Sequence, residues 1–147
     1  MIIPIASDHA GYKAKQITLE LLEEMGHEPV DFGTHSDEST DYPDYAILVA
    51  KKVDQGEYPL GVLICGSGQG MCMTANKYSN IRAALVYNQQ AADLSRRHNN
   101  ANILCLPGRE LNRDQIQNIL NSWFEAEFEG GRHERRVNKI HSLTEKS

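Results

Sequence analysis

The stretch LGVLICGSGQGMCMTANK places a thiol directly before a glycine-rich loop. Cys65 ends an apolar run, and Gly66, Gly68 and Gly70 alternate after it. Glycines let backbone N–H groups turn toward one point, and the helix expected next adds the positive end of its dipole. The pattern predicts an anion cradle that favours the thiolate of Cys65 as a base or nucleophile. The same glycines equally suit a tight turn that packs a helix against a strand.

The residue at position 71 separates this loop from other phosphate-binding loops. A GxGxxG dinucleotide motif would need glycine there, and a P-loop would need a following GK[ST], which is absent. A Cys-x5-Arg phosphatase loop would need arginine at the same position. Met71 cannot bind phosphate as that arginine would, so a cysteine phosphatase is disfavoured.

Two polar clusters are further candidates for a site. Asp8 and His9 follow the first apolar run, and an Asp-His pair orients an imidazole and binds sugar hydroxyls, although Asp8 equally suits a helix N-cap. The segment RRHNNAN brings His98, Asn99 and Asn100 together, which suits either a site or an ordinary helix end.

A basic tail ends an acidic chain. Residues 130–147 hold five basic and two acidic residues, a net of +3 in a chain of net charge −5. Within this tail, Arg132 and Arg136 lie four residues apart on one helical face and could bind a phosphate, or they could form a solvated face. The overall charge argues against general nucleic-acid binding.

The cysteine count bears on cellular compartment and on metal binding. The chain has three cysteines and no CxxC pair, which argues against a disulfide framework or a zinc site and fits a reducing, cytoplasmic compartment. Cys72 and Cys105 are interpreted as core residues, because unpaired cysteines are among the most buried residue types. No apolar run is long enough for a membrane span, and no signal peptide is expected at the N-terminus.

The 147 residues are predicted to form one α/β domain in which strands and helices alternate. Strands are expected at 1–6, 28–32, 60–64, 82–86 and 102–106, and helices at 11–25, 43–54, 69–77, 88–98 and 112–128, with a helical tail from about 130. Pro4 suits an edge strand or a strand start better than a strand centre.

Alternating strands and helices predict a parallel, doubly wound (Rossmann-like) sheet in three αβα layers. With the flavodoxin-like strand order 2-1-3-4-5, the carboxyl ends of the first and third strands flank the point where strand order reverses, and ligands bind there. Those two ends deliver the segments SDHAG and CGSGQG, so the two motifs are expected to meet at one site.

The whole pattern resembles the type B ribose-5-phosphate isomerase family, which also contains galactose-6-phosphate isomerase subunits. The matching motifs run in the family's order from residue 5 to about 137: SDHAGYKAK, TDYPDYA, CGSGQG, ANK, IRAAL, LSRRHNNANIL, GRE and FEGGRHERRV. The resemblance implies an αβα sandwich around five parallel strands and aldose–ketose isomerisation without metal or other cofactor. It also implies a homodimer or a dimer of dimers that acts on a small sugar phosphate, with no nucleic-acid or membrane partner.

The resemblance also implies residue roles. Cys65 would be the proton-transferring base, and His98 would open the furanose ring. One branch of the family has a glutamate base where this chain has Met71, so the cysteine branch fits. The residues implied to bind the sugar phosphate are Asp8, His9, Gly66, Ser67, Gly68, Gln69, Gly70, Asn99, Arg109, Arg132 and Arg136.

The implied chemistry agrees with the residues. Isomerisation moves a proton between adjacent carbons through an enediolate, which needs a base within hydrogen-bond reach. The loop amides and Ser67 would stabilise the charge on oxygen, and the arginines would anchor the remote phosphate. Alternatives that remain are an isomerase of galactose 6-phosphate or allose 6-phosphate and a non-catalytic sugar-phosphate or nucleotide sensor.

The predicted topology separates two of these residues. Cys65 lies at the carboxyl end of its strand, whereas the helix that ends near His98 runs antiparallel and leaves His98 near the amino ends. A five-residue strand spans about 17 Å at roughly 3.3 Å per residue, too far for a histidine side chain to bridge. If both residues serve one site, His98 is expected to come from the partner in a two-fold dimer.

Overall fold

The computed structural model describes residues 1–145; Lys146, counted in the basic tail, and Ser147 lie outside the described residues. The strands are β1 (Ile2–Ser7), β2 (Glu28–Asp31), β3 (Gly61–Cys65), β4 (Ala83–Leu85) and β5 (Ile103–Pro107). The helices are α1 (Tyr12–Glu24), α2 (Tyr42–Asp54), α3 (Gln69–Ala75), α4 (Gln89–Arg97), α5 (Arg113–Glu125) and α6 (Arg132–Thr144). A short 3-10 turn at His9–Gly11 joins β1 to α1.

All strand pairs are parallel, so the α/β class is confirmed, but the strand order is β2-β1-β3-β5-β4. The expected order 2-1-3-4-5 is therefore wrong at its last two strands. All five residues of β5 are buried and β5 lies beside β3, whereas the three residues of β4 are half-buried at the edge. A strand with a neighbour on each side is buried, which suits the continuous apolar run of β5. The shorter, half-buried β4 suits the edge. The pair β1 and β3 stays adjacent, so the expected meeting of their carboxyl ends is unaffected.

Alternating side chains cover the two faces of the sheet. Ile64 and Leu106 point into a core closed by α1, α4 and α5, whereas Leu63, Cys65 and Cys105 point into a second core closed by α2 and α3. This period of two along each central strand produces the three αβα layers. Cys65 therefore points toward α3, the helix that follows the glycine loop.

Pro4, which was expected in an edge strand or at a strand start, is the third residue of β1. β1 pairs with β2 from Ile2 onward, but its pairing with β3 begins only at Ile5. Pro4 therefore precedes the part of the strand that has two neighbours, which is where a missing N–H is tolerated.

Helix α6 lies along the amino-end edge of the sheet. Val137 is its buried residue, and His141 contacts both Arg82 Nη1 (3.0 Å) and the carbonyl oxygen of Ser79 (2.8 Å). Both partners lie in the segment that leads into β4, so the basic helix is attached near the amino end of that strand. Between residues 1 and 145, no helix is both long and apolar enough to cross a bilayer.

Candidate functional site

The carboxyl ends of β1 and β3 meet as the topology predicted. The N–H of Asp8 donates to the carbonyl oxygen of Ile64 (3.3 Å), which joins the end of β1 to the end of β3. Cys65 is the next residue and is 5% exposed. Asp8 also caps the 3-10 turn, because the N–H of Gly11 donates to its Oδ1 (3.0 Å). Both interpretations of Asp8, as a cap and as a site neighbour, therefore fit its position.

The loop after Cys65 has amides that face no protein acceptor. In the part of the chain that the structure describes, the N–H groups of Ser67, Gly68 and Gly70 donate to no protein group. Gly68, the residue directly before α3, has a φ of +76°, a backbone conformation that residues with a side chain rarely adopt. Free amides beside a helix start provide donors for a negatively charged oxygen.

Tyr42, the first residue of α2, covers this loop. A Cβ placed on Gly70 would lie 2.3 Å from Cε1 of the Tyr42 ring, so the ring packs directly on the loop backbone. Tyr42 is nevertheless 41% exposed. Sequence reasoning treated the segment DYPDYA only as a helix start and a family motif. A second tyrosine also contacts this loop: the hydroxyl of Tyr87 donates to the carbonyl oxygen of Ser67 (3.1 Å).

Arg109 reaches the same loop from the end of β5. Its N–H donates to the carbonyl oxygen of Gly66 (3.1 Å), and the N–H of Gly108 donates to that of Cys65 (2.8 Å). A Cβ on Gly66 would lie 3.3 Å from both Cδ and Nη1 of Arg109. A permanent positive charge therefore lies against the backbone of the glycine loop.

His9 contacts Thr40, in the loop before α2. The backbone N–H of His9 donates to Thr40 Oγ1 (3.1 Å), and the backbone N–H of Thr40 donates to His9 Nδ1 (3.1 Å). Thr40 was not among the sequence candidates, and no local pattern could have identified it, since it lies 31 positions along the chain. The carboxyl edge thus gathers Asp8, His9, Cys65, the loop Gly66–Gly70 and Arg109.

The other candidates lie at the amino edge of the sheet. His98 caps the carboxyl end of α4, one residue beyond Arg97. The chain then turns toward Asn102, whose carbonyl oxygen accepts from the N–H of Gly61 (2.9 Å), the first residue of β3. Cys65 is the last residue of that strand, so β3 separates it from His98 within one chain.

His98 stacks on a residue that sequence reasoning did not select. The rings of His98 and His133 lie 4.2 Å apart with an interplanar angle of 7°. Glu129 approaches both rings, with its Oε1 at 3.6 Å from His98 Nε2 and 3.7 Å from His133 Nε2. Arg97 pairs with Glu129 Oε2 at 2.6 Å and fixes that carboxylate. Burial, together with the neighbouring His98 and Arg132, lowers the pKa of His133.

Arg132 and Arg136 are exposed at the start of α6, on the amino-edge side. Asn99 lies there too, in a cleft of about 970 Å³ between α6 and the edge of the sheet near β4. Neither Cys65 nor the glycine loop lines this cleft. The structure therefore divides the candidates: His98, Asn99, Arg132 and Arg136 lie at the edge opposite Cys65.

The cluster of His98, Glu129 and His133 contains ligand types that a divalent cation accepts. Their nearest ligand atoms all lie within 4.8 Å of one another. The stacked rings direct their in-plane lone pairs in parallel, however, whereas a tetrahedral ion needs them to converge. The two histidines are therefore placed to contact Glu129, which Arg97 also pairs with, and not to coordinate a metal ion.

The remaining cysteines belong to the core behind the site. Cys105 is fully buried, and burial raises the pKa of its thiol. Cys72 is half-buried and donates to the carbonyl oxygen of Ala83 (3.4 Å). Met71 is also fully buried, so it fills the core and offers no proton acceptor to the site.

Comparisons with known proteins agree with this geometry. The model of the ribose/galactose isomerase family matches residues 3–140. A probable ribose-5-phosphate isomerase B of Mycoplasma genitalium is 46% identical over 92% of this chain and 91% of its own. The structure of Clostridium thermocellum ribose-5-phosphate isomerase B has a TM-score of 0.94 and 47% identity, covering 97% of each chain. That of the Mycoplasma genitalium enzyme with bound ribulose 5-phosphate has a TM-score of 0.93 and 44% identity, covering 99% of this chain and 97% of that one.

Proposed function

Because this chain belongs to the ribose/galactose isomerase family, we propose that it interconverts ribose 5-phosphate and ribulose 5-phosphate through an enediolate. The observation that carries the proposal is the placement of Cys65 at the end of β3, directly before a loop with free amides. The similarity to a protein solved with ribulose 5-phosphate supports the choice of substrate.

Cys65 acts as the base in this proposal. The thiolate removes the proton from the carbon next to the carbonyl group, and the resulting thiol returns a proton to the former carbonyl carbon. The hydroxyl proton passes from one oxygen of the enediolate to the other, so the new carbonyl and hydroxyl groups form and the thiolate is regenerated. No other residue on the loop competes for this role, because Met71 is buried and Ser67 is a much weaker base. Cys72 and Cys105 belong to the core behind the loop.

The glycine loop stabilises the enediolate oxygen. Within residues 1–145 the amides of Ser67, Gly68 and Gly70 have no protein acceptor and are available as donors, and the Ser67 hydroxyl can add another. Preorganised donors of this kind act on charge that develops in the transition state, where they contribute most to rate. Gln69 continues this loop into α3 and completes the set proposed to contact the substrate.

The phosphate and the sugar ring are bound by groups from both edges. Arg132 and Arg136 would hold the phosphate, with Arg109 contributing a third guanidinium beside the loop. His98 would open the furanose ring, and Asp8, His9 and Asn99 would bind sugar oxygens. Binding energy from the remote phosphate then orients the reacting carbons against Cys65.

The site is complete only if two subunits share it. Within one chain the Cys65 group and the His98 group lie at opposite edges, and a two-fold dimer could bring one edge against the other. Ile140 and Leu143 are 48% and 79% exposed on α6, beside the 970 Å³ cleft, which supports a covered surface there. We therefore include a homodimer, or a dimer of dimers, in the proposal.

The proposed reaction uses no metal or other cofactor, because the thiol and the amides supply both the base and the oxyanion donors. It needs no nucleic acid or membrane. A cytoplasmic location is part of the proposal, and three free thiols support it because oxidising compartments favour disulfides.

An isomerase assay on three substrates tests the assignment. We expect the highest kcat/KM with ribose 5-phosphate, and lower values with galactose 6-phosphate and allose 6-phosphate. The family description also includes galactose, so a preference for a six-carbon sugar phosphate is the competing assignment. Binding without turnover of any of the three would instead indicate a sensor and contradict the proposal.

A further inference from the structure

Two reciprocal hydrogen bonds join His9 to Thr40, in the loop that precedes α2. The first runs from the backbone N–H of His9 to Thr40 Oγ1, and the second runs from the backbone N–H of Thr40 to Nδ1 of the His9 ring, both at 3.1 Å. The two residues are 31 positions apart, so this pair attaches the far end of the loop to the turn that follows β1.

The second bond determines where the imidazole carries its proton. A backbone N–H can only donate, so Nδ1 must be the acceptor and must be bare. A neutral imidazole with a bare Nδ1 has its proton on Nε2. Turning the ring over would put a carbon in front of the Thr40 amide and leave that amide without an acceptor. Moving the proton to Nδ1 would set two donors against each other.

Thr40 arrives at His9 on a loop whose other end is firmly held. The N–H of Ser7 donates to the carbonyl oxygen of Gly33 (2.7 Å), and the N–H of Thr34 donates to that of Ser7 (2.8 Å). Before the loop, Asp31 Oδ1 accepts from the fully buried Lys15 Nζ (2.6 Å). The contact with His9 therefore does not depend on a freely moving segment.

The second ring nitrogen of His9 has no hydrogen-bond partner among the described residues. Across residues 1–145, His9 Nε2 makes no hydrogen bond. His9 follows Asp8 at the carboxyl edge, where the substrate is proposed to bind. An unpaired N–H at this place is a donor that a substrate oxygen can use.

We propose that Thr40 is a positioning residue that holds His9 as the Nε2–H tautomer, so that His9 donates a hydrogen bond to an oxygen of the sugar phosphate and does not act as a base. This rests on the proposed isomerase function for the identity of the acceptor. The tautomer itself follows from the hydrogen bond that the Thr40 N–H donates to Nδ1 and is independent of the substrate.

Nuclear magnetic resonance of the wild-type protein with ¹⁵N-labelled histidine tests the tautomer directly. The spectrum is recorded without substrate at a pH well above about 6.5, where an ordinary imidazole is neutral. Protonated and bare ring nitrogens resonate far apart, and the His9 signals are identified as those missing in His9→Gln. We expect a bare Nδ1 and a protonated Nε2. A protonated Nδ1 would overturn the proposal.

A pair of His9 variants tests the donor. The amide nitrogen of glutamine reaches the position of Nε2 and can donate there, whereas the asparagine amide reaches only the position of Nδ1. We expect His9→Gln to retain at least about tenfold more kcat/KM than His9→Asn, the worth of one hydrogen bond to a charged group. Equal loss in both variants would show that the Nε2–H donor is not what the reaction needs.

Thr40 variants separate positioning from stability. Thr40→Val removes Oγ1, the acceptor of the His9 backbone N–H, at nearly constant volume and keeps the Thr40 amide that donates to Nδ1. Without the first bond the amide is no longer held against the ring, so we expect His9 signals from both tautomers and a lower kcat/KM, with a folded far-UV spectrum. Thr40→Ser keeps the oxygen and should restore both readouts. A Thr40→Val protein with the wild-type tautomer and rate would contradict the role of Thr40. If the wild type turns over no sugar phosphate, the proposed function fails while the spectrum still decides the tautomer.

Discussion

Three thiols lie near one face of the sheet, and their surroundings distinguish them. Cys65 and Cys105 point into the same core, and Cys72 packs against it from α3. Only Cys65 is followed by amides without protein acceptors, whereas burial keeps the Cys105 thiol protonated by raising its pKa. At the scale of single residues, the chemistry therefore depends on position along a strand more than on residue type.

Replacement of Cys65 tests the base. We expect Cys65→Ala to lose at least about a hundredfold in kcat, the lower range for removal of a general base, while ribulose 5-phosphate still binds because the phosphate is held elsewhere. Steady-state kinetics and calorimetric titration measure the two quantities.

Cys72→Ala and Cys105→Ala are the matched controls. Both should lower the free energy of unfolding, since each removes a packed thiol, and leave kcat near the wild-type value. Near-native turnover in Cys65→Ala would refute the assigned base.

The arginines of α6 test the phosphate contact. Arg136→Ala should raise KM for ribose 5-phosphate about tenfold or more, because it removes charge-assisted bonds of roughly 1.5–3 kcal/mol. Activity toward unphosphorylated ribose should change far less. Arg132→Ala should behave similarly.

Arg135→Ala controls for the loss of one positive charge on the same helix. It should leave KM for ribose 5-phosphate close to the wild-type value. If Arg136→Ala and Arg135→Ala weaken both substrates equally, the arginines contribute to structure and not to phosphate binding.

At the scale of elements, the loop between β3 and α3 depends on its neighbours. Tyr42 from α2 packs on Gly70, Tyr87 donates to Ser67, and Arg109 lies against Gly66. Each contact comes from a different βα connection, so the amides are positioned by three loops at once. This explains why a side chain at Gly70 would meet the Tyr42 ring, and why one at Gly66 would lie tightly against Arg109, although neither glycine has a positive φ.

Substitution of Gly70 tests this packing. Gly70→Ala should displace the exposed Tyr42 ring, because the new Cβ would lie 2.3 Å from it. Stability should change little, since alanine favours the helix by about 1 kcal/mol over glycine and offsets lost ring packing. We expect kcat/KM to fall about tenfold, the cost of about one misplaced donor.

The double-mutant cycle with Tyr42 isolates the contact. In a Tyr42→Ala background, Gly70→Ala should have little further effect on kcat/KM, because the obstructing ring is absent. Additive losses in the double variant would show that Gly70 matters for a reason other than Tyr42.

At the scale of the whole molecule, the proposed site is divided between two edges of the sheet. The Cys65 group lies at the carboxyl ends, and the group with His98 and Arg136 lies at the amino ends. No rotation of a single side chain joins them, because β3 lies between. A shared site therefore predicts that activity requires assembly.

Complementation tests the shared site. Cys65→Ala and His98→Ala homodimers should each be inactive or weak on the ring form of the substrate. After unfolding and refolding of an equal mixture, half of the dimers are mixed, and one of their two sites has both residues intact. About a quarter of native activity should therefore return.

Mass spectrometry of the refolded mixture confirms that mixed dimers formed. If both residues came from the same subunit, every site of a mixed dimer would lack one of them. Absence of recovered activity in confirmed mixed dimers would exclude the shared site.

The sequence by itself determined the features that depend on local order. Short apolar runs that alternate with helical segments predicted the parallel sheet and its two covered faces. The position of Cys65 at a strand end and of Asp8 at a turn followed from the same reading, as did the approach of these two segments. Such features were predictable because strand period, glycine turns and helix caps act within a few residues.

Tertiary structure alone decided which distant groups meet. The order of β4 and β5 depends on which of them pairs with β3. The pattern of apolar residues along a strand indicates which faces are buried, but it does not indicate which strand lies beside it. The contacts of His9 with Thr40 and of His98 with His133 join residues more than 30 positions apart. Hydrogen bonds and ring stacking across such separations form only after the sheet has placed its edges, so spacing in the sequence carries no record of them.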